Sequence, residues 1–274
     1  MRDSKSTLVK LEIPQEGIVQ MSLCRGAAMN TLTWEMLDAL MNALHELRTT
    51  PPRALIVTGE GKVFCGGAHL KYFTDPDSPL TNNPAAARDP YVRRILDVFG
   101  QLRALPCPTI AAINGHALGG GMEMAVACDF RLMSAAAFMG QPEVRFGLAP
   151  GGNGIQQLVK LIGRTHALDM LLTGDVITAD AALSYGLVSS VSAPDALLTD
   201  AVKFARRFLS SGPFSVGITK RATYRTETLS QAESDAIALD AVYESFSNAE
   251  SREGISAFVE KRCASFVLGV DTGK

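Results

Sequence analysis

The sequence predicts an α/β core over residues 1–195 followed by a helical region over 196–274. Three observations predict it. Short apolar runs of β type alternate with segments of helical periodicity as far as Val191. From Pro194 onward the spacing is helical almost throughout. Glycine-rich junctions at Gly66-Gly67 and Gly119-Gly120-Gly121 fall where strand-type runs give way to helical ones, and a third, Gly151-Gly152-Asn153-Gly154, precedes a further helix.

The elements follow in order. Thr7 to Ile13 and Ile18 to Leu23 are β-type runs around the turn-forming Pro14-Gln15-Glu16-Gly17, which predicts a hairpin. Thr33 is placed to cap a helix, with Glu35 in its first turn and Leu37, Leu40, Met41, Leu44 and Leu47 at helical spacing; Trp34 reads as a packing residue. Ala54 to Thr58 is a buried strand closed by Gly59-Glu60-Gly61, and Val63 to Lys71 is then expected as a glycine-rich loop. Thr74 to Pro90, rich in Asp, Asn, Ser and Pro, predicts a surface loop, a lid or a disordered insertion. An amphipathic helix is expected over Tyr91 to Leu105, with Ile95, Leu96, Phe99 and Leu102 inward, then a strand over Thr109 to Ile113 and a short buried helix from Met122 to Cys128. Strands are predicted at Phe130 to Met133, Glu143 to Phe146 and Leu187 to Val191. Helices are predicted up to Ile162-Gly163, from Arg164 to Thr173 with Gly174 as its C-cap, and from a Thr178 cap to Tyr185. In the C-terminal region Ser234 to Ser247 is rich in Ala and Ser, a small-residue face suited to a subunit contact or to an intramolecular helix pair.

Composition bounds the function. Of 274 residues 47% are apolar, ample for one large core, and a formal net charge of −2 offers no basic field for nucleic acid or an anionic membrane. The five cysteines, Cys24, Cys65, Cys107, Cys128 and Cys263, are odd in number and in no C-x-x-C pattern, which predicts reduced thiols and a cytoplasmic protein. Met1 to Lys10 has charges and no apolar stretch, so no signal peptide is expected. The uncharged run Ala104 to Met122 contains Pro106, Pro108 and four glycines, which predicts buried strand and loop and no spanning helix.

The chemistry concentrates between Ile113 and Glu143. Four of the eight residues from Gly115 to Met122 are glycine, yet they open a helix. Such glycines serve either close packing or free main-chain N–H groups aimed at an acceptor, helped by the helix dipole. The spacing fits neither G-x-G-x-x-G nor a P-loop. Two such loops, at Gly66-Gly67-Ala68 and Gly119-Gly120, can supply two N–H donors to one oxygen, the geometry of an oxyanion hole. Glu123 and Glu143 bracket the region, with Asp129 the other acid between them. Two buried carboxyls raise each other's pKa and suit acid–base work; alternatively they cap helices or pair with an arginine such as Arg145. Met122, Met124, Met139 and Phe138 line a pocket or simply fill the core.

Read together, Phe64-Cys65-Gly66-Gly67-Ala68, Ala111-Ala112-Ile113-Asn114-Gly115, Gly119-Gly120-Gly121-Met122-Glu123, Cys128-Asp129, Gln141-Pro142-Glu143, Gly147, Pro150-Gly151, Leu172-Thr173-Gly174 and Ala257-Phe258-Val259-Glu260-Lys261-Arg262 resemble the enoyl-CoA hydratase/isomerase (crotonase) family over residues 8 to 266. The resemblance implies a spiral of ββα turns with a C-terminal helical trimerisation region, a homotrimer or homohexamer, an acyl-CoA thioester substrate and no separate cofactor or metal. By motif position it implies that the N–H groups of Ala68 and Gly120 hold the thioester oxygen, that Glu123 orients and deprotonates the water, and that Glu143 donates the α-proton. It also implies substrate contacts from Gly66, Gly67, His69, Leu70, Lys62, Lys71, Gly119 and Gly151, with Phe258 and Lys261 reaching a neighbouring subunit's CoA.

Three places depart from the family pattern: His69 replaces an acid, Cys24-Arg25-Gly26-Ala27-Ala28 lacks the usual lysine, and Gly154-Ile155-Gln156-Gln157 replaces a Thr-Gln-Arg run. They bear on CoA contacts and leave room for an acyl group on a carrier protein's phosphopantetheine arm. Retention of both glutamates favours hydration. An isomerase, decarboxylase or C–C hydrolase would use the same enolate, and a silent acyl-CoA-binding trimer is the non-enzymatic alternative.

Overall fold

The computed structural model describes residues 7–266; of the charged N-terminal stretch, Met1 to Ser6 lie outside it. Two sheets carry the core. Strands β1 (Val9–Gln15), β2 (Ile18–Leu23), β3 (Ala54–Gly59), β5 (Thr109–Ile113), β7 (Phe130–Ser134) and β10 (Ser190–Ser192) form a six-stranded sheet in the order β1-β2-β3-β5-β7-β10. Strands β4 (Val63–Cys65), β6 (His116–Leu118), β8 (Phe138–Gly140) and β9 (Val176–Thr178) form a smaller sheet in the order β4-β6-β8-β9. Each turn of the chain lays one strand in the large sheet and the next in the small one, then returns through helix: β3-β4, β5-β6 and β7-β8 stack as parallel neighbours. This is the expected spiral of ββα turns.

The central strands β3 and β5 are buried on both faces, which is why they are the most continuously apolar runs of the sheet. Val57, Ala111 and Met133 face one core with Leu37, Leu40 and Leu44 of α1 (Trp34–Thr49). The alternate residues Ile56, Ile110 and Leu132 face α7 (Leu197–Ala205) through Leu197, Ala201 and Ala205. Thr33 caps α1 through Met36 N–H at 3.3 Å. The helices that leave the sheet are α8 (Pro213–Thr226), α9 (Gln231–Ser247) and α10 (Ala249–Val259). One tether ties α8 back: partly buried Asp129 accepts from Lys220 Nζ at 2.7 Å, Tyr224 Oη at 2.6 Å and Thr109 N–H at 2.7 Å.

Several local expectations are corrected. Glu143 to Phe146 is no strand; Pro142–Phe146 is a 3₁₀ turn, because Pro142 has no N–H to give a sheet and presets the first helical φ, and left-handed Gly147 ends it. The strand of that region is β8. Val63–Cys65 and His116–Leu118 are strands although glycines crowd them, since their side chains pack between layers. The last strand starts at Ser190, three residues later than expected from Leu187. Thr74 to Pro90 is a surface segment as expected, but an ordered one and not a disordered insertion. Leu80 is buried, Ser78 Oγ donates to Tyr72 O at 2.5 Å, and one-turn α2 (Pro84–Ala86) and a π-helical turn (Ala87–Val92) lead into α3 (Arg93–Arg103). Helix α4 (Gly120–Ala127) begins two residues before the expected Met122, and α5 (Gly154–Thr173) is broken at Gly163, at φ 73° and ψ 166°, into the two helical segments expected. Thr178 caps α6 (Ala179–Ser184). Cys65, Cys107 and Cys128 are buried thiols, and the core absorbs Met122, Met124 and Met139.

Gly121 makes one of the spiral's tightest contacts: a Cβ there would lie 1.9 Å from Cys65 O, so α4 rests directly on the β4 backbone. Gly121→Ala is expected to cost about 3 kcal/mol, the upper range for overpacking. Thermal unfolding and soluble yield check it; an unchanged midpoint would contradict the close approach.

Candidate active site

The small sheet brings the site together. Its neighbouring strands β4, β6 and β8 run parallel, so their C-terminal ends open side by side. From β4 the chain enters Gly66–His69; from β6 it enters Gly119-Gly120 and α4; from β8 it enters Gln141-Pro142-Glu143. Three loops far apart in sequence therefore meet at one edge.

The two N–H donors are set by their own peptide units. The Gly67 carbonyl accepts from Leu32 N–H at 2.9 Å, and within the same peptide plane the Ala68 N–H must point the opposite way. The Gly119 carbonyl accepts from Glu123 N–H at 2.9 Å, so the Gly120 N–H points out of the helix N-terminus. Gly119 reaches this position with φ 52° and ψ −123°, a conformation open to glycine, and its N–H is held by Gly140 O at 2.9 Å. A Cβ on Gly120 would lie 3.6 Å from Ala68 N, and one on Gly67 would lie 2.9 Å from Gly120 N, so the two donors are neighbours. Neither has an acceptor among the described residues.

Glu123 sits in the first turn of α4 and is only 3% exposed. Its Oε1 accepts from Gly152 N–H at 2.7 Å and Gly154 N–H at 2.9 Å. Burial pushes its pKa up, and those two N–H groups oppose the rise. Glu143 lies against Gly119: a Cβ there would be 2.6 Å from Glu143 Oε1. Its Oε2 is buried without a hydrogen-bond partner among the described residues. Burial first, and then the charge of Glu123, push Glu143 up to about 7.

Neither glutamate pairs with a cation among the described residues. Arg145 turns instead to Asp175 and to Thr173 O at 3.0 Å. Asp129 is consumed by its tether to Lys220 and Tyr224.

Because Glu143 titrates higher folded than unfolded, the folded state binds more protons between the ordinary 4.5 and about 7. Stability is therefore lost as pH rises through that window. Glu143→Gln is expected to raise the melting temperature at about pH 8 and leave it unchanged at about pH 4, where both states hold the proton. Melting curves at the two pH values check it, and an equal shift at both would refute the buried, uncompensated carboxyl.

The other predicted residues divide. Gly66 and Gly67 form the first loop, while Gly151 abuts Val92 at the third. The His69 side chain engages Thr31 and Tyr72, with Nδ1 3.1 Å from Thr31 Oγ1 and its ring edge-on to Tyr72. Leu70 and Lys71 are exposed in the following 3₁₀ turn. Lys62 lies at the N-terminal end of β4, whereas Ala68 follows its C-terminal end. Phe258 is 85% exposed at the end of α10, with Lys261 just beyond it at φ 57°. Sequence reasoning missed Gly152 and Gly154 as the cradle of Glu123; their G-x-G spacing before a helix was the available signal. It also missed Tyr91, for which no local pattern speaks.

A model of the enoyl-CoA hydratase/isomerase family matches residues 14–267. The chain is 36% identical over 255 residues to the crotonyl-CoA hydratase of Syntrophomonas wolfei, covering 92% of this chain and 95% of that one. It is 32% identical over 251 residues to the mitochondrial enoyl-CoA hydratase of Pongo abelii, covering 91% and 83%. The crystal structure of enoyl-CoA hydratase from Bacillus anthracis superposes with a TM-score of 0.88 at 32% identity, covering 94% of this chain and 98% of that one. With the match spanning both sheets and every loop of the site, the chain belongs to the enoyl-CoA hydratase/isomerase family.

Proposed function

We propose that this protein is an enoyl-CoA hydratase, adding water reversibly across an α,β-unsaturated acyl thioester. The observation that carries the proposal is the pair of glutamates without cationic partners, their pKa values raised, beside two main-chain N–H groups without acceptors.

The thioester oxygen accepts from Ala68 and Gly120 N–H, which stabilise the charge that moves onto it as water attacks the β-carbon. Glu123, its Oε1 held by two N–H groups, takes a proton from that water through its other oxygen. Glu143, half protonated near neutrality, returns a proton to the α-carbon as the enolate collapses to the carbonyl. Exchange with solvent then restores the starting protonation of both acids. The nucleophile is water and the electrophile is polarised by N–H groups, so no cofactor beyond the CoA carried by the substrate is required.

The exposed Leu239, Val242, Tyr243 and Phe246 form an apolar stripe along α9, and Phe258 is exposed on α10; such unpartnered apolar side chains suit a homotrimer or a dimer of trimers. No helix among the described residues is long and apolar enough to cross a membrane. Reduced, mostly buried cysteines suit a cytoplasmic location.

Incubation with a panel of enoyl-, β-hydroxyacyl- and malonyl-type CoA esters, with product masses read out, tests the activity. A gain of one water on an enoyl-CoA is expected. Shift of a double bond without mass change, or loss of CO₂, would replace hydration with another reaction of the family.

A further inference from the structure

Tyr91 is fully buried yet carries a hydroxyl, and that hydroxyl works beside the N–H pair. It donates to Leu32 O at 2.6 Å and accepts from His69 N–H at 2.8 Å. Leu32 and Ala68 form an isolated parallel bridge. One rung of that bridge is direct, Leu32 N–H to Gly67 O at 2.9 Å. In a regular parallel bridge the second rung would run straight from His69 N–H to Leu32 O. Here the Tyr91 hydroxyl sits between these two groups and bonds to both.

The bridge decides where Ala68 points. When the residues on either side of Ala68 are bonded toward Leu32, the N–H of Ala68 itself must face away from Leu32, toward Gly120. The width of the second rung sets the tilt of the peptide, and a bridging hydroxyl makes that rung wider than a direct bond. Burial pushes the Tyr91 phenol far above its ordinary range, so it keeps the proton it donates. Its ring is wedged by edge contacts with Trp34 at 5.1 Å and Phe73 at 5.7 Å, which fixes the hydroxyl in place.

We propose that Tyr91 is a positioning residue: inserted between Leu32 O and His69 N–H, it sets the direction of the Ala68 N–H and so the strength with which the site polarises the thioester carbonyl. This rests on the oxyanion role proposed above for Ala68.

Tyr91→Phe keeps the ring and deletes the hydroxyl, which lets the second rung close and rotates the Ala68 peptide. The expected result is a roughly tenfold lower kcat with KM within about twofold, the pattern of an interaction realised in the transition state. Tyr72→Phe is the control, since the Tyr72 hydroxyl in the same aromatic cluster reaches Trp34 N–H at 3.3 Å and neither Leu32 nor His69. Isotope-edited infrared spectra of a bound enoyl-CoA supply a readout that mere structural damage would not move. The carbonyl stretch should be lowered on the wild type and on Tyr72→Phe, and lie closer to its free value on Tyr91→Phe. A Tyr91→Phe enzyme with the wild-type carbonyl frequency overturns the proposal, whatever its kcat or melting temperature. A wild type that neither turns over nor polarises any enoyl-CoA removes the hydratase proposal itself, and this one with it.

Discussion

Glu123→Gln is expected to lower the hydration kcat by about 10²–10⁴-fold with the fold intact. The amide oxygen of glutamine can still accept from Gly152 and Gly154 N–H, the two bonds that now hold Oε1 at 2.7 and 2.9 Å. What glutamine loses is the other oxygen's capacity to take a proton from water, so the loss reports chemistry and not collapse of the cradle. Glu143→Gln is expected to fall in the same range, by removing the donor to the α-carbon. The two differ in pH dependence. If Glu143 acts as the acid, kcat/KM for hydration declines as pH rises above about 7, where Glu143 loses its proton. That decline should vanish in Glu143→Gln. Initial rates from about pH 5 to about pH 9 on both variants decide the matter, and the double variant should be little worse than either single one, because the pair acts as a unit. Near-normal turnover in both single variants would end the two-carboxyl mechanism.

Gly67→Ala is expected to cost about 10²–10³ in kcat, equivalent to about 2.7–4 kcal/mol, by disturbing the pair of donors. At φ 84° the position is strained for any residue with a Cβ, by about 1–3 kcal/mol. More important is where the methyl would go: 2.6 Å from Leu118 O and 2.9 Å from Gly120 N, between the two loops whose N–H groups must converge. Both loops would have to separate. Gly100→Ala is the comparison, because nothing lies within 4 Å of a Cβ there and alanine is the better helix former in α3. Steady-state kinetics on the two variants should show the loss in Gly67→Ala alone. A Gly67→Ala enzyme with wild-type kcat would mean that the Ala68 and Gly120 N–H groups do not act together on one oxygen.

Much of this site is legible in the sequence because its parts are local. The glycines at 67 and 119 announce backbone that other residues cannot adopt, and helix α4 with Glu123 in its first turn follows from composition and periodicity. The turn at Gln141-Pro142-Glu143 is less legible. The alternation Val144-Arg145-Phe146 after Glu143 suggests a strand, but the proline overrides it, and the side chain of Glu143 is aimed by a 3₁₀ turn that periodicity does not reveal. The segment from Thr74 to Pro90 misleads in the same way. Its composition is that of a free loop, yet Leu80 and Tyr91 anchor it to the core.

The sequence by itself determined the family, the alternation of strand and helix and the glycine-rich loops that flank the site. These follow from periodicity, turn chemistry and ordered motifs, all properties of neighbouring residues. Only the tertiary structure decided which acids are free to act. Asp129 is as acidic as Glu123 on paper, but Lys220 and Tyr224 from α8 claim it, whereas no cation among the described residues reaches Glu123 or Glu143. It also decided that Gly152 and Gly154 hold Glu123 and that Tyr91 bridges Leu32 and His69. The physical reason is that a hydrogen bond needs its partners within about 3 Å, and segments dozens of residues apart come that close only through strand register and layer packing.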